Sequence, residues 1–450
     1  MKKRLISMIL LAAMVSSLTA CGSSASSGGS STAGTTASAE DPASDGTSNA
    51  DLKADLTLGL PGGYSVTSEA IVNSFKEKYP NINLTIDEAP WNDFSKKISA
   101  QIAGGTAPDV WFQENATILG YGAMGAAENL APYIEKDLIA SDYADTLYAA
   151  KVGDNVWGVP HGVNAVALAY NKKVFTDAGV DFPTNDWTYQ DMIDAATKLT
   201  QDTDGDGKTD IYGFLTGGSI TIGWYPWVRS AGGRALDASL ENAVFDDEKS
   251  VQGIQAWYDT VYKQKVSPTL TEQNDMGKSF TIFGNNKAAM MFLQYSEAAG
   301  QLNANFPDLE YDTVMIPKTF DGSERHVPYV ANSWIVYSRA KDASKQAAWL
   351  WIQHYLAEDT QKTIAESGAT LPVQKNALES VSSLTAKPVN KAAFTQGITE
   401  AGTTLDENAT WSTWRLEAQP VFQMILNNEI DIAEGLAQIK TNVQKVLDEN

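Results

Sequence analysis

Val156-Trp157-Gly158-Val159-Pro160-His161-Gly162-Val163-Asn164-Ala165-Val166-Ala167-Leu168-Ala169-Tyr170-Asn171-Lys172 is the stretch whose reading decides the fold. Gly158, Pro160 and Gly162 keep its first half out of any helix interior. Residues 163–170 are apolar without a helical period and are bounded by polar turn residues, which is how a fully buried strand reads. One amide, Asn164, interrupts that run. A polar side chain inside a buried strand needs a partner: backbone, water or ligand. We expect this strand to carry the chain out of one lobe and into a second. Asn164 then sits near the crossing, either bonded to neighbouring backbone or facing a cleft.

Upstream, residues 56–60 and 82–86 alternate like strands. Residues 69–79 place Ile71, Val72, Phe75 and Tyr79 at helical spacing, and 94–102 reads as a second helix. Gly104 to Asp109 is a loop that enters a buried strand at Val110-Trp111-Phe112. Strand, helix, strand, helix, strand at this spacing is the doubly wound α/β pattern. Such sheets bind ligands at the carboxyl ends of their strands. Tyr64, Gln113 and Glu114 fall just past strand ends and are cleft candidates. Downstream, helices are expected over 187–199, 251–262, 343–357 and 432–447. Strands are expected over 211–214, 311–314, 334–337 and a stretch ending at Phe292, followed by Gln294-Tyr295-Ser296.

Length and composition bound the rest. A chain of 450 residues exceeds one ordinary core, so two domains are the prior. A formal charge of −22 excludes nucleic acid and anionic membrane surfaces as favoured partners and suits a neutral or cationic small molecule. Three histidines and one cysteine leave little for imidazole–metal or thiol chemistry and rule out an internal disulfide. The cysteine is explained by the amino terminus. A basic Lys2-Lys3-Arg4 is followed by an apolar run too short to span a bilayer, then Leu18-Thr19-Ala20-Cys21. Small residues before such a cysteine look like a bacterial lipobox, so residues 1–21 are read as a lipoprotein signal peptide with Cys21 lipidated. Residues 22–53 are nearly all Ser, Gly, Ala and Thr and read as a disordered tether.

Taken together, the chain resembles the extracellular solute-binding proteins of bacterial ABC importers, in the maltose-binding-like, sugar-binding branch. The pieces that carry the resemblance are the lipobox with its tether, Gly105-Thr106-Ala107-Pro108-Asp109-Val110 and Ala169-Tyr170-Asn171-Lys172. Asn286-Lys287-Ala288-Ala289-Met290 and Gly368-Ala369-Thr370-Leu371-Pro372-Val373 complete the set, in the family's order. The resemblance implies an α/β, two-lobe periplasmic-binding-protein-like fold with a hinge and an interlobe ligand cleft. Lobe 1 would take residues 54–163 and 330–370, and lobe 2 residues 164–329 and 371–450. The implied work is capture of a sugar and delivery to permease subunits by a monomer lipid-anchored outside the cell membrane, with no bond made or broken.

Sugars present C–H faces to aromatic rings and hydroxyls to planar polar groups. Among twelve tryptophans, Trp224, Trp227, Trp334, Trp411 and Trp414 lie in expected loops or at element ends, whereas Trp91, Trp111, Trp349 and Trp351 read as core. The residues expected to touch sugar are Tyr64, Gln113, Glu114, Asn164, Trp224, Trp227, Tyr295, Trp334 and Trp414. Arg415 could pair a ligand acid or a helix carboxylate, and the latter is expected. A second site is the run Asp202-Thr203-Asp204-Gly205-Asp206-Gly207-Lys208-Thr209-Asp210. It has calcium-loop spacing, with the backbone carbonyl of Lys208 as a further ligand, and Asp210 replacing the usual bidentate Glu. A structural calcium is expected there, with a solvated acidic turn as the alternative. Other functions left open are a secreted carbohydrate-active enzyme working through two facing carboxylates, and capture of a peptide or polyamine. No nucleophile elbow or His-Glu-x-x-His motif is present.

Overall fold

The computed structural model describes residues 51–62 and 67–449, apart from the side chain of Asn92. The expectations for the signal peptide, Cys21, nearly all of the tether and Tyr64 lie outside the described residues. Five short segments open the fold: β1 (Ala54–Pro61), a helix Glu69–Lys78, β2 (Ile82–Ala89), a helix Trp91–Gly104 and β3 (Val110–Glu114). β1 lies between β2 and β3 and pairs with both in parallel, as the doubly wound pattern requires. Leu56, Leu58 and Leu60 of β1 are fully buried, and Ile71, Val72 and Phe75 of the first helix close over them. Ser68 caps that helix by accepting the Ile71 N–H.

A two-stranded hairpin of β4 (Lys151–Val152) and β5 (Asn155–Val156) leads into β6, a single strand over Val159–Asn171. The strand therefore includes the Pro160 to Gly162 segment. Its irregular residues appear there as a register shift against β9. β7 (Met290–Gln294) and β8 (Tyr311–Met315) pair antiparallel with the second half of β6, and β9 (Val327–Val336) pairs with its first half. The far half of β9 pairs with β3. β6 and β9 thus belong to both halves of the molecule, one built on β1, β2 and β3 and the other on β7 and β8. The α/β, two-lobe architecture is the one expected.

A third pass of chain joins them. Val163 and Leu371 exchange two backbone hydrogen bonds of 2.9 Å, and Asn164 is in register with Val330. A Cβ on Gly162 would lie 2.3 Å from the Thr370 methyl and 2.8 Å from the Leu371 carbonyl, so only glycine lets the third pass come this close. The short pair β10 (Gly402–Thr403) and β9 precedes a loop to the long helix Trp411–Leu426, which packs on the closing helix Ile432–Asp448. That long helix, with Pro420 inside it, was not anticipated from sequence, and residues 211–214 form isolated bridges in place of a strand. No helix among the described residues is long and apolar enough to cross a membrane.

Candidate functional site

The carboxyl ends of β2, β3 and β7 and the crossings of β6 and β9 converge on a cleft of about 490 Å³. β3 delivers Phe112 and Glu114 to its wall, and the helix that starts at Asn115 begins there. β2 ends at Ala89, and Pro90 then sets Trp91 at the first helical position. Trp91 is 43% exposed on the cleft wall, with its ring edge-on to Phe112 at 6.1 Å. This corrects its reading as a core residue. His161, from β6, packs against Phe112 at 4.4 Å and Tyr355 at 5.7 Å; burial holds its pKa down to about 3, so the ring is neutral.

Asn164 lines the cleft and also accepts the Ser296 backbone N–H at 3.0 Å through Oδ1. The two alternatives for this amide are therefore both realised, because the backbone bond uses only its oxygen. On the neighbouring strand, Asn332 of β9 carries a buried Oδ1 with no protein partner, and the Trp411 Nε1 likewise has none. Buried polar atoms left without partners cost about 1–3 kcal/mol each, so a guest hydroxyl that pairs with either atom relieves that cost.

The last wall comes from the carboxyl-terminal segment: Leu405, Glu407, Trp411 and Arg415. Residues 411 and 415 are one turn apart on one helix face. The Arg415 guanidinium lies 4.3 Å from the centroid of the Trp411 ring, not on a helix carboxylate as expected. Burial pushes the Glu407 carboxyl up to about 8; the charge of Glu114 adds to the rise and that of Arg415 opposes it. Next to it, buried Asp406 pairs with Arg234 and accepts the backbone N–H groups of Ala235 at 2.9 Å and Leu236 at 3.3 Å. That pairing fixes the loop that brings Leu405 and Glu407 to the cleft.

Of the residues expected to touch ligand, Glu114 and Asn164 line the cleft. Gln113 stands one residue behind the wall, donating to Ser95 Oγ at 2.9 Å, with its Oε1 buried and unpartnered. The aromatic expectations are corrected by packing. Trp224 stacks on Phe422 at 4.1 Å, Trp227 packs edge-on to Tyr189 at 4.9 Å, and Tyr295 packs on Phe394 at 5.4 Å. Trp334 sits under the cleft floor among Phe112, Trp351 and Tyr355, and Trp414 packs on Phe245. All five are at most 1% exposed. Sequence reasoning missed His161, Asn332, Glu407 and Trp91 as wall residues. The position of Trp91 just after a strand end was the available signal.

In the acidic turn, carboxylate oxygens of Asp202, Asp204 and Asp210 lie within 4.8 Å of one another. Gly205 and Gly207 take positive φ of 79° and 85°, which bends the turn so that Asp202 accepts both of their N–H groups. Asp210 accepts from Thr203, and those bonds lower its pKa. Asp206 stands apart from the cluster: its carboxylate accepts the Lys208 N–H at 2.8 Å and meets the Lys208 Nζ at 3.5 Å. The oxygens gathered here number fewer than the spacing implied.

A family model described as bacterial extracellular solute-binding protein matches residues 70–394. The chain belongs to this family. The solute-binding protein is 24% identical over 346 residues to an erythritol/L-threitol-binding protein of Mycolicibacterium smegmatis, covering 69% of this chain and 68% of that one. Its fold matches an ABC substrate-binding protein of Listeria monocytogenes in complex with cycloalternan, with a TM-score of 0.76 and 23% identity over 88% of this chain and 99% of that one. It also matches a cyclic α-maltosyl-1,6-maltose-binding protein of Arthrobacter globiformis, with a TM-score of 0.74 and 20% identity over 88% of this chain and all of that one.

Proposed function

We propose that this solute-binding protein captures a sugar or oligosaccharide in the cleft between its lobes and hands it to the permease of an ABC importer. The observation that carries the reading is the cleft wall itself. Amides (Asn164, Asn332), carboxyls (Glu114, Glu407), a guanidinium and an exposed indole are interleaved, with buried polar atoms awaiting partners. Polyhydroxylated rings meet all of these at once, giving C–H faces to the indole and hydroxyls to the planar groups. A volume of about 490 Å³ lies within the ordinary range for small-molecule sites. The solved relatives named for carbohydrate ligands share the fold and support the choice of ligand class.

The protein works as a monomer outside the cell, held to the membrane by a lipid on Cys21, and makes or breaks no bond. The oxygens of Asp202, Asp204 and Asp210 suit calcium, a hard cation, which would brace the turn without any part in ligand chemistry. Melting and calorimetric titration of the full chain against panels of sugars, peptides and polyamines test the reading. Stabilisation by one carbohydrate class, growing with concentration, is expected, with the sugar recovered intact. Stabilisation by peptides or polyamines alone, or cleavage of the sugar, would overturn it. A calcium chelator is expected to lower the melting temperature by a few degrees while leaving sugar affinity unchanged; no shift would leave the turn as a solvated acidic loop.

A further inference from the structure

The cleft does not end the run of polar residues on the helix Trp411–Leu426. Trp411 and Arg415 face the cleft, and Gln419, Gln423 and Asn427 follow at the same interval of four, lining a second concavity of about 660 Å³. Residues four apart share one slanted ridge, which by helical rise is roughly 24 Å long from residue 411 to 427 and turns by about 40° at each step, so it leads from the cleft around the flank of the helix. The loop before Trp224 belongs to both hollows, giving Thr221 to the cleft and Gly218 and Ser219 to the groove. It is held from within the lobe: Trp257 Nε1 donates to the Gly217 carbonyl at 3.1 Å, Gln273 to that of Thr216 at 3.0 Å, and Gln419 to that of Gly218. A wall fixed at three consecutive carbonyls is preorganised to receive a guest.

The chemistry of the groove is narrow. Its lining adds Thr271 and Asn274 to those amides and Ser219, with Lys278 as its one charged side chain and no aromatic ring or carboxylate. Amides and hydroxyls offer donors and acceptors together, which matches neutral hydroxyl-rich molecules, and with Lys278 present and no carboxylate in the lining a cationic peptide finds no opposite charge. We propose that this groove is an outer saccharide subsite, continuous with the cleft along the helix ridge. The physiological ligand is then a linear oligosaccharide that overruns the cleft, reaching Gln423 and Asn427 with its distal rings. This inference rests on the carbohydrate reading of the cleft.

Calorimetric titration of the full chain with malto-, cello- and xylo-oligosaccharides, from the disaccharide to the heptasaccharide, tests it. Affinity within the accepted series is expected to rise about tenfold beyond the shortest member that binds, the gain of a few extra hydrogen bonds. The double variant Gln423→Ala/Asn427→Ala is expected to lose that increment while binding the shortest member as before. Asn274→Trp, which fills the groove without touching the helix, is expected to do the same. Equal affinity for short and long members, or an increment that survives in both variants, would overturn the outer subsite and leave the cleft reading intact. If no saccharide of any length binds, the cleft reading fails and the subsite fails with it.

Discussion

Two sets of tryptophans in this protein differ in work but hardly in local sequence. Trp224, Trp227, Trp334 and Trp414 are at most 1% exposed and make ring contacts inside the lobes, whereas Trp91 stands 43% exposed on the cleft wall. Trp411 is intermediate: it lines the cleft and one face carries Arg415, yet it is only 4% exposed. Proximity to glycine, proline or an element end does not separate the sets. Position relative to strand ends does, since the cleft wall is made where β2 and β3 stop and where the helix Trp411–Leu426 begins. A tryptophan contributes stability or affinity according to which side of that boundary it occupies.

The largest expected effect comes from the interior set. Trp334→Ala removes a fully buried indole from among Phe112, Trp351 and Tyr355 and should cost about 3–5 kcal/mol of stability, read by urea or thermal unfolding. Trp334→Phe should recover much of that and bind sugar normally, whereas a loss of affinity at full stability would move Trp334 to the cleft set. Next is Asp406→Ala. It strands Arg234 and the N–H groups of Ala235 and Leu236, for an expected loss of about 2–4 kcal/mol, moderated because the arginine is partly exposed. Because Asp406 holds the loop that carries Glu407, affinity should fall as well. Unchanged binding would show that the loop positions itself.

The comparison also explains what could be read from sequence. The crossing strand was legible because seven apolar residues and one amide between polar turns permit little else, whereas the crossing near residue 371 was implied only by the family resemblance that the Gly368 to Val373 run helps to carry. The opening α/β unit followed from period alone. The helix Trp411–Leu426 was not legible, because Pro420 argues against a helix interior. Without that helix, the spacing of Trp411 and Arg415 carried no meaning, and Trp414 could not be assigned to the adjoining buried face with Ala418 and Phe422. Asn332 and Glu407 were hidden for a different reason. Their importance comes from partners distant in sequence, and no local pattern marks a buried oxygen that lacks one.

The cleft set should respond in affinity more than in stability. Trp91→Ala exposes a modest surface and is expected to change stability by less than about 1 kcal/mol. It removes the exposed indole proposed to stack on a sugar ring, so affinity should drop roughly tenfold, about 1.4 kcal/mol. Calorimetry on Trp91→Ala and Trp334→Phe side by side is the sharpest form of the comparison. If both lose affinity equally, the boundary drawn here between wall and interior is wrong.

The last test of the comparison is electrostatic and concerns Glu407. Its ordinary pKa of 4.5 is raised to about 8 in the folded cleft, first by burial and then by Glu114, against the pull of Arg415. Between those two values the folded state holds a proton that the unfolded chain has released. The unfolded state then binds fewer protons, so stability falls as pH rises through this window and levels off above about 8. Glu407→Gln keeps the shape and cannot ionise. Its melting temperature should therefore gain on the wild type as pH is raised from 5 to 8, and the gap should close below the ordinary carboxylate pKa. Elsewhere in the protein Glu297, raised to about 7 by burial while accepting the Gln294 N–H at 2.7 Å, adds a slope of the same sign that remains in the variant. Only the difference between the two melting curves therefore reports Glu407. A difference that does not change with pH would place its carboxylate in water, outside the wall that Trp91 and Trp411 define.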